Sequence, residues 1–293
     1  MWQTFDTPTS IQETLEILAR HEGQAQIIAG GTDLTIELRE GKYSVGGLVD
    51  VTRIPGLKQV EQKGDWIVLG ANVTFRQLKE SDLMQQQARV LAEAAATVGA
   101  LQIQTMATIA GNVVSALPAA DGCVALLALG AEAQVVDENG SVWRPIEELF
   151  LGPGKSAIDP TRQMLTAIRF RVAGPCQGSA WERIGRRRAL VLPILNCAVN
   201  VALSEDGEQL AWAKIGLGPV APVPFRARET EAFLAGRRPT QDTIEQAAKV
   251  AAAEARPRTS LLRASKEYRI EVLKVLVSRG LERAVAQAQE RLA

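Results

Sequence analysis

Apolar positions along the chain recur at helical and strand spacings that divide it into alternating elements. Ser10-Ile-Gln-Glu13 has the form of a capping box, and Ile11, Leu15 and Leu18 fall on one face of the helix it opens, with Gly23 to close it. The short run Gln26–Ala29 reads as a buried strand. A tight turn, a polar stretch and a second strand near Leu48–Val51 follow, making a small βαβ-like unit. After Pro55-Gly56 the pattern predicts a strand over Trp66–Gly70 and a short helix around Phe75–Lys79. Ser81 then caps a longer helix, ending at Gly99, in which Leu83, Val90, Leu91, Ala94, Ala95 and Val98 pack. An apolar helix over Cys123–Leu129 precedes strands near Glu132–Val136 and Ser141–Trp143, joined by an Asn139-Gly140 hairpin turn.

Gly174-Pro175 is the main break. Beyond it lie strands at Ser179–Ile184, Leu195–Leu203 and Gln209–Leu217, the last two joined by Asp206-Gly207. Helices over Arg226–Leu234, Thr240–Ala255 and Ser260 to near Leu292 complete the chain. The last carries Leu262, Tyr268, Val272, Val275, Leu276 and Val285 at helical spacing. The expected fold is α+β: residues 1–174 in two α/β subdomains, about 1–55 and 56–174, then a sheet-plus-helices domain over 175–293.

Two glycine turns stand out. In Ile27-Ile28-Ala29-Gly30-Gly31-Thr32-Asp33-Leu34 an apolar strand ends in paired glycines and a hydroxyl. Such a turn admits positive φ and close backbone approach, and its successive N–H groups form a nest suited to phosphate oxygens. An ordinary strand-to-helix turn reads the same way. Thr108-Ile-Ala110-Gly111-Asn112 again joins apolar residues to a glycine and an amide.

Composition narrows the chemistry. With 46% hydrophobic and 23% charged residues the chain is globular. Its 33 basic and 33 acidic residues cancel, giving no electrostatic case for nucleic acid or a membrane surface. The first residues lack a signal-peptide pattern and no apolar run is long enough to span a membrane, so a cytoplasmic location is expected. Cys123, Cys176 and Cys197 contain no Cys-x-x-Cys pair, which excludes an encoded iron–sulfur cluster. His21 is the one histidine, so a His-rich metal site and a Ser-His-Asp triad are excluded, and its place near a helix end reads as solvated.

Two nucleotide-binding patterns fail on context. Gly216-Leu-Gly218-Pro-Val-Ala221 fits a dinucleotide fingerprint, but Pro219, Pro222 and Pro224 forbid the helix that must start there. Gly154-Lys155-Ser156 resembles the end of a P-loop, yet Leu149 stands where its first glycine belongs and Asp159-Pro160 interrupts any following helix.

The two turns, with Leu151-Gly-Pro-Gly-Lys155, Val220-Ala-Pro-Val-Pro224 and Arg263-Ala-Ser-Lys-Glu-Tyr-Arg269 in this order, resemble the FAD-binding (medium) subunit of the molybdenum hydroxylases. That family includes xanthine dehydrogenases, carbon monoxide dehydrogenase and 4-hydroxybenzoyl-CoA reductase. The resemblance implies a PCMH-type FAD-binding fold, with residues 27–34 and 108–112 clasping the FAD diphosphate. It also places Asp121, otherwise a helix N-cap, at the FAD ribose, and Leu165, otherwise strand core, against the adenine or flavin end. Arg183, in a basic cluster with Arg186-Arg-Arg188 that could equally be a solvated face, would approach the flavin ring. Three positions depart from the family pattern: Ala110 replaces a glycine, Gln104 an arginine and Leu190 an aspartate. An alanine at 110 would be strained if that site needs positive φ.

The implied function is an electron-transfer flavoprotein. It would take electrons from a [2Fe-2S] subunit of a complex whose molybdopterin-containing subunit oxidises the substrate, and pass them to NAD or another acceptor. No catalytic side chain is expected in this chain. A stand-alone flavin oxidoreductase would need a base, a tyrosine cluster or a covalent His/Cys link, for which one histidine and two tyrosines are poor material. A cofactor-free scaffold is the third reading, separable by a visible spectrum.

Overall fold

The computed structural model describes residues 2–187, 189–260 and 263–292. The chain first builds β1 (Thr4–Asp6), α1 (Ile11–Arg20), β2 (Ala25–Ile28), α2 (Leu34–Arg39) and β3 (Gly47–Asp50). The strands pair in parallel in the order β1-β3-β2. Ser10 caps α1 by accepting from Glu13 N at 3.1 Å, whereas the Glu13 carboxylate reaches past Ser10 to Thr9 N at 2.7 Å. The buried face of α1 is Thr14, Ile17 and Leu18; Ile11 and Leu15 are only half-buried. The stretch expected to be merely polar contains α2, and edge strand β1 was not anticipated. His21 is not free in solvent, since its Nε2 lies 3.4 Å from Asp6 Oδ2.

A second unit follows: β4 (Val60–Lys63), β5 (Trp66–Gly70), α3 (Phe75–Glu80), α4 (Asp82–Gln87), α5 (Arg89–Thr97), α6 (Leu101–Met106), α7 (Ile109–Val114) and α8 (Asp121–Leu129), then β6 (Glu132–Asp137), β7 (Gly140–Pro145), β8 (Phe150–Gly152), β9 (Lys155–Ser156) and β10 (Met164–Arg171). Its antiparallel sheet runs β4-β5-β10-β6-β7. Helices cover one face, burying Ile67, Leu69, Ala133, Ile168 and Phe170 with the apolar helix α8. The opposite face carries a cation–π stack in which Arg169 lies 4.2 Å from the Trp66 ring and 4.1 Å from Trp143. Ser81 caps α4 alone, because the chain breaks at Ala88 (φ −148°, ψ 54°) before α5 begins.

The third unit is the antiparallel sheet β11 (Gln177–Ile184), β12 (Leu195–Leu203), β13 (Leu210–Gly218) and β14 (Phe225–Arg226), with α9 (Arg228–Leu234), α10 (Gln241–Glu254) and α11 (Lys266–Leu292). The last helix starts at Lys266 rather than Ser260. Tyr268 and Val275 on it are exposed; Leu273, Leu276, Val277, Leu281 and Val285 face the core. Leu262 lies outside the described residues. Gly178 lets α11 rest on the sheet, since a Cβ there would meet Ala288 N at 2.6 Å. Arg283 on α11 brackets two units, donating to Glu93 on α5 at 2.8 Å and to Glu182 on β11 at 2.8 Å. Among the described residues no helix is long and apolar enough to cross a membrane.

Candidate functional site

The first turn leaves β2 at Ile28 and enters α2 at Leu34, with Gly31 in the left-handed region at φ +65°. Its partner glycine works differently. Gly30 does not have positive φ; a Cβ on it would overlap the Met106 carbonyl and stand 3.0 Å from Ala107 Cα. Backbone therefore packs directly on backbone, and the second turn is held against the first. Asp33 and Ser115 add a side-chain hydrogen bond of 3.4 Å across the same junction. Ile27, Ile28 and Ala29 are half-buried behind the turn, and Ile27 N donates to Pro160 O.

The second turn is the start of α7. Thr108 caps it, accepting from Gly111 N at 3.1 Å, and Ile109 N donates to Val73 O in the second unit. Ala110 sits inside the helix without positive φ, so alanine costs no backbone strain there. Gln104 has a structural task of its own: its Nε2 donates to Ala96 O at 3.1 Å and Val98 O at 3.0 Å, closing the end of α5. Leu190 does carry strain, at φ +50° and largely exposed, while its N–H holds Gly99 O at 2.9 Å.

The donor set of the joined turns fits a diphosphate. Among the described residues no acceptor takes the N–H groups of Gly31, Thr32 or Asp33, nor that of Ala110 in the first turn of α7. Successive unclaimed N–H groups beside a left-handed glycine are the donors an anion-binding nest uses. These residues would hold the FAD diphosphate. Among the described residues their hydrogen-bond shell contains no carboxylate other than Asp33, which is exposed and turned to Ser115.

Asp121 and Arg183 meet. Asp121 is the first residue of α8 and does not cap it. Its Oδ2 lies 3.3 Å from Arg183 Nε and 3.3 Å from Thr97 Oγ1, and its Oδ1 accepts from Asn196 Nδ2 at 2.6 Å. Both charged side chains are more than nine-tenths buried. Burial pushes the Asp121 carboxyl above its ordinary value, and Arg183, Asn196 and Thr97 oppose that rise. The cluster adjoins the second turn, because Cys123 Sγ donates to Asn112 O at 3.3 Å. Arg183 is thus not part of a solvated face: its Nη2 donates to Val191 O at 2.5 Å, and its Nε, buried without a hydrogen bond, stands in ion-pair range of Asp121. Leu165 is 5% exposed in the helix-covered core with Phe150 and Ile158, and little of its side chain is left for a ligand.

Asn196 and Thr97 escaped the sequence reading. Asn196 had a signal, an amide inside the apolar run of β12, where a buried polar group must find a partner. Thr97 gave none.

A shallow depression of about 340 Å³ on the outer face of the five-stranded sheet, around Trp66 and Trp143, is lined by no residue of either turn. Its polar side chains pair with neighbours, as in Arg169–Glu132 (2.7 Å) and Lys63–Glu61 (2.6 Å). The two rejected nucleotide patterns serve packing. A Cβ on Gly216 would lie 3.4 Å from Leu127 Cβ and overlap the Val124 carbonyl, so this glycine lets α8 lie on β13. No helix begins until Arg228; Pro153-Gly154 is the turn of the β8–β9 hairpin, and Lys155-Ser156 is strand β9.

Residues 3–170 match the family described as the FAD binding domain in molybdopterin dehydrogenase, and residues 181–284 match the CO dehydrogenase flavoprotein C-terminal domain. The chain belongs to this molybdopterin dehydrogenase flavoprotein family. It is 26% identical to a xanthine dehydrogenase FAD-binding subunit of Escherichia coli O157:H7 over 99% of this chain and 98% of that one. It is 28% identical to the carbon monoxide dehydrogenase medium chain of Afipia carboxidovorans, covering 97% of each. Among solved structures it superimposes on a chain of carbon monoxide dehydrogenase from Hydrogenophaga pseudoflava with a TM-score of 0.92, at 27% identity and 98% coverage of both. The expected α+β architecture, with its FAD-binding domain and C-terminal domain, holds.

Proposed function

We propose that this chain is the electron-transfer flavoprotein of a molybdenum-containing hydroxylase or dehydrogenase complex. FAD supplies the redox chemistry, and the protein contributes binding, orientation and electrostatics. The observation that carries the reading is the contact of Gly30 with Met106 and Ala107, which brings together two turns whose N–H groups are unclaimed. In this proposal Gly31, Thr32, Asp33, Ala110 and Gly111 line the diphosphate site, and Ile27, Ile28, Ala29, Leu34, Thr108 and Asn112 hold its walls. Asp121, Leu165 and Arg183 stand behind it. Residues 1–174 form the FAD-binding domain, as subdomains of about 1–55 and 56–174, and 175–293 the C-terminal domain.

The chain supplies half of a redox path. Among the described residues no group of three or more His, Cys, Asp or Glu side chains could hold a metal ion. Electron entry is accordingly assigned to a [2Fe-2S] partner and substrate oxidation to a molybdopterin-containing partner, with NAD or another acceptor at the exit. The names of the relatives, a FAD-binding subunit and a medium chain, support this division of labour. Affinity purification from the native host should recover molybdenum and iron with the chain. The isolated flavoprotein should oxidise reduced nicotinamide with a dye but leave purines and aldehydes untouched. Substrate-dependent flavin reduction by a metal-free chain would overturn the proposal.

A further inference from the structure

Arg183 and Asn196 are directly paired across β11 and β12, so their side chains stand together on the face that meets α8. Asp121 Oδ1 accepts from Asn196 Nδ2 at 2.6 Å, while Oδ2 lies 3.3 Å from Arg183 Nε and 3.3 Å from Thr97 Oγ1, whose hydroxyl also donates to Ala94 O at 2.8 Å. The ion pair with Arg183 and the Asn196 donor both favour the carboxylate form. With Asp121 as a carboxylate the orientation of Asn196 follows, because its Oδ1 turned toward Asp121 would meet another acceptor. That Oδ1 is enclosed with no partner among the described residues. An amide that leaves its oxygen unsatisfied to aim its N–H at a carboxylate is there for the carboxylate.

We propose that Asn196 is a positioning residue for the cofactor: it holds Asp121 against Arg183, so that bound FAD meets a compensated ion pair instead of an uncovered cation. The inference rests on the FAD reading above. The chain of contacts is short. Strand β12 carries Asn196, Asn196 orients Asp121 on α8, and two residues along α8 Cys123 is hydrogen-bonded to Asn112 of the second turn. The C-terminal sheet thereby sets the charge beside a site built by the other two units. Burial already pushes Asp121 toward its neutral form, and loss of the Asn196 donor removes one of the interactions opposing this. Arg183 would then stand uncovered in a poorly solvated junction, and a positive charge there favours the extra electrons of reduced flavin.

The test is the midpoint potential of FAD in the loaded protein. Asn196→Leu and Asp121→Asn should each raise it, by about 30 mV if the reduction equilibrium shifts tenfold for a two-electron couple. The double variant Asp121→Asn/Asn196→Leu should rise no further than Asp121→Asn, since Asn196 acts through Asp121. Asp121→Asn/Arg183→Gln should return toward the wild-type value. If Asn196→Leu misfolds, Asn196→Ala, which leaves room for water, is expected to give the same sign. Bound FAD at an unchanged potential in these variants, or additive shifts in the first double variant, would overturn the positioning role. Failure of the wild-type protein to take up FAD would overturn the underlying reading, and the inference with it.

Discussion

Gly30 and Met106 are in backbone contact across the junction of the first two units, close enough that a Cβ on Gly30 would lie 2.8 Å from the Met106 carbonyl carbon. Two stretches some eighty residues apart are brought together by this contact. The glycine is required for approach of chain to chain, and Gly31 beside it supplies the left-handed conformation.

Gly30→Ala should therefore separate the turns, costing about 1–3 kcal/mol of stability by overpacking and weakening FAD binding. Gly111→Ala is the contrasting variant. It lies in α7, where alanine is the better helix former by about 1 kcal/mol, and its new Cβ would meet only Thr108 Oγ1 at 3.0 Å. Unfolding of Gly111→Ala should shift little while its FAD titration weakens. Equal unfolding losses in both variants would contradict this division between packing and ligand space.

Gln104→Leu should destabilise the protein by about 0.5–1.5 kcal/mol, because two carbonyls at the end of α5 lose their side-chain donor. Denaturant unfolding of the apoprotein checks it. An unchanged midpoint would mean that water replaces the amide.

Leu190→Asn should stabilise by ~1 kcal/mol, since asparagine tolerates the left-handed backbone that leucine occupies under strain. The bond from residue 190 N–H to Gly99 O is kept. A lower unfolding midpoint would show that the exposed leucine is held by packing of greater value.

The thiols should react unequally. Cys123 and Cys197 are fully buried and burial pushes both thiols up, whereas Cys176 is partly exposed. Thiol titration of the native protein should find one reactive cysteine, and of the denatured protein three. A second fast thiol would place Cys123 or Cys197 in a region that opens readily.

The sequence was most readable where local chemistry decides. Trp66–Gly70 stands as β5 with the same ends, the Ser10 and Ser81 caps hold, and the proline-blocked loop after Gly218 starts no helix. It was least readable where tertiary contact decides. The break at Ala88 carries no glycine or proline. The side of α11 that faces the sheet is set by Gly178 and Gly280, so Tyr268 and Val275 stay outside although their spacing fits a buried face. The site divides in the same way. Its turns were legible as glycine punctuation, but the role of Gly30 depends on Met106, and the pairing of Asp121 with Arg183 depends on strand register. At position 110 the condition for strain, a positive φ, is not met, because the backbone there is plain helix.

The central claim is that the joined turns bind FAD without a covalent bond. The most direct measurement is to purify the full chain, reconstitute it with excess FAD, remove free flavin, denature and chromatograph what is released. The account predicts that flavin is recovered in the soluble fraction, migrating as FAD, and that Gly30→Ala lowers the yield. Recovery of FMN alone, flavin that stays attached to the chain, or no flavin at all would contradict it.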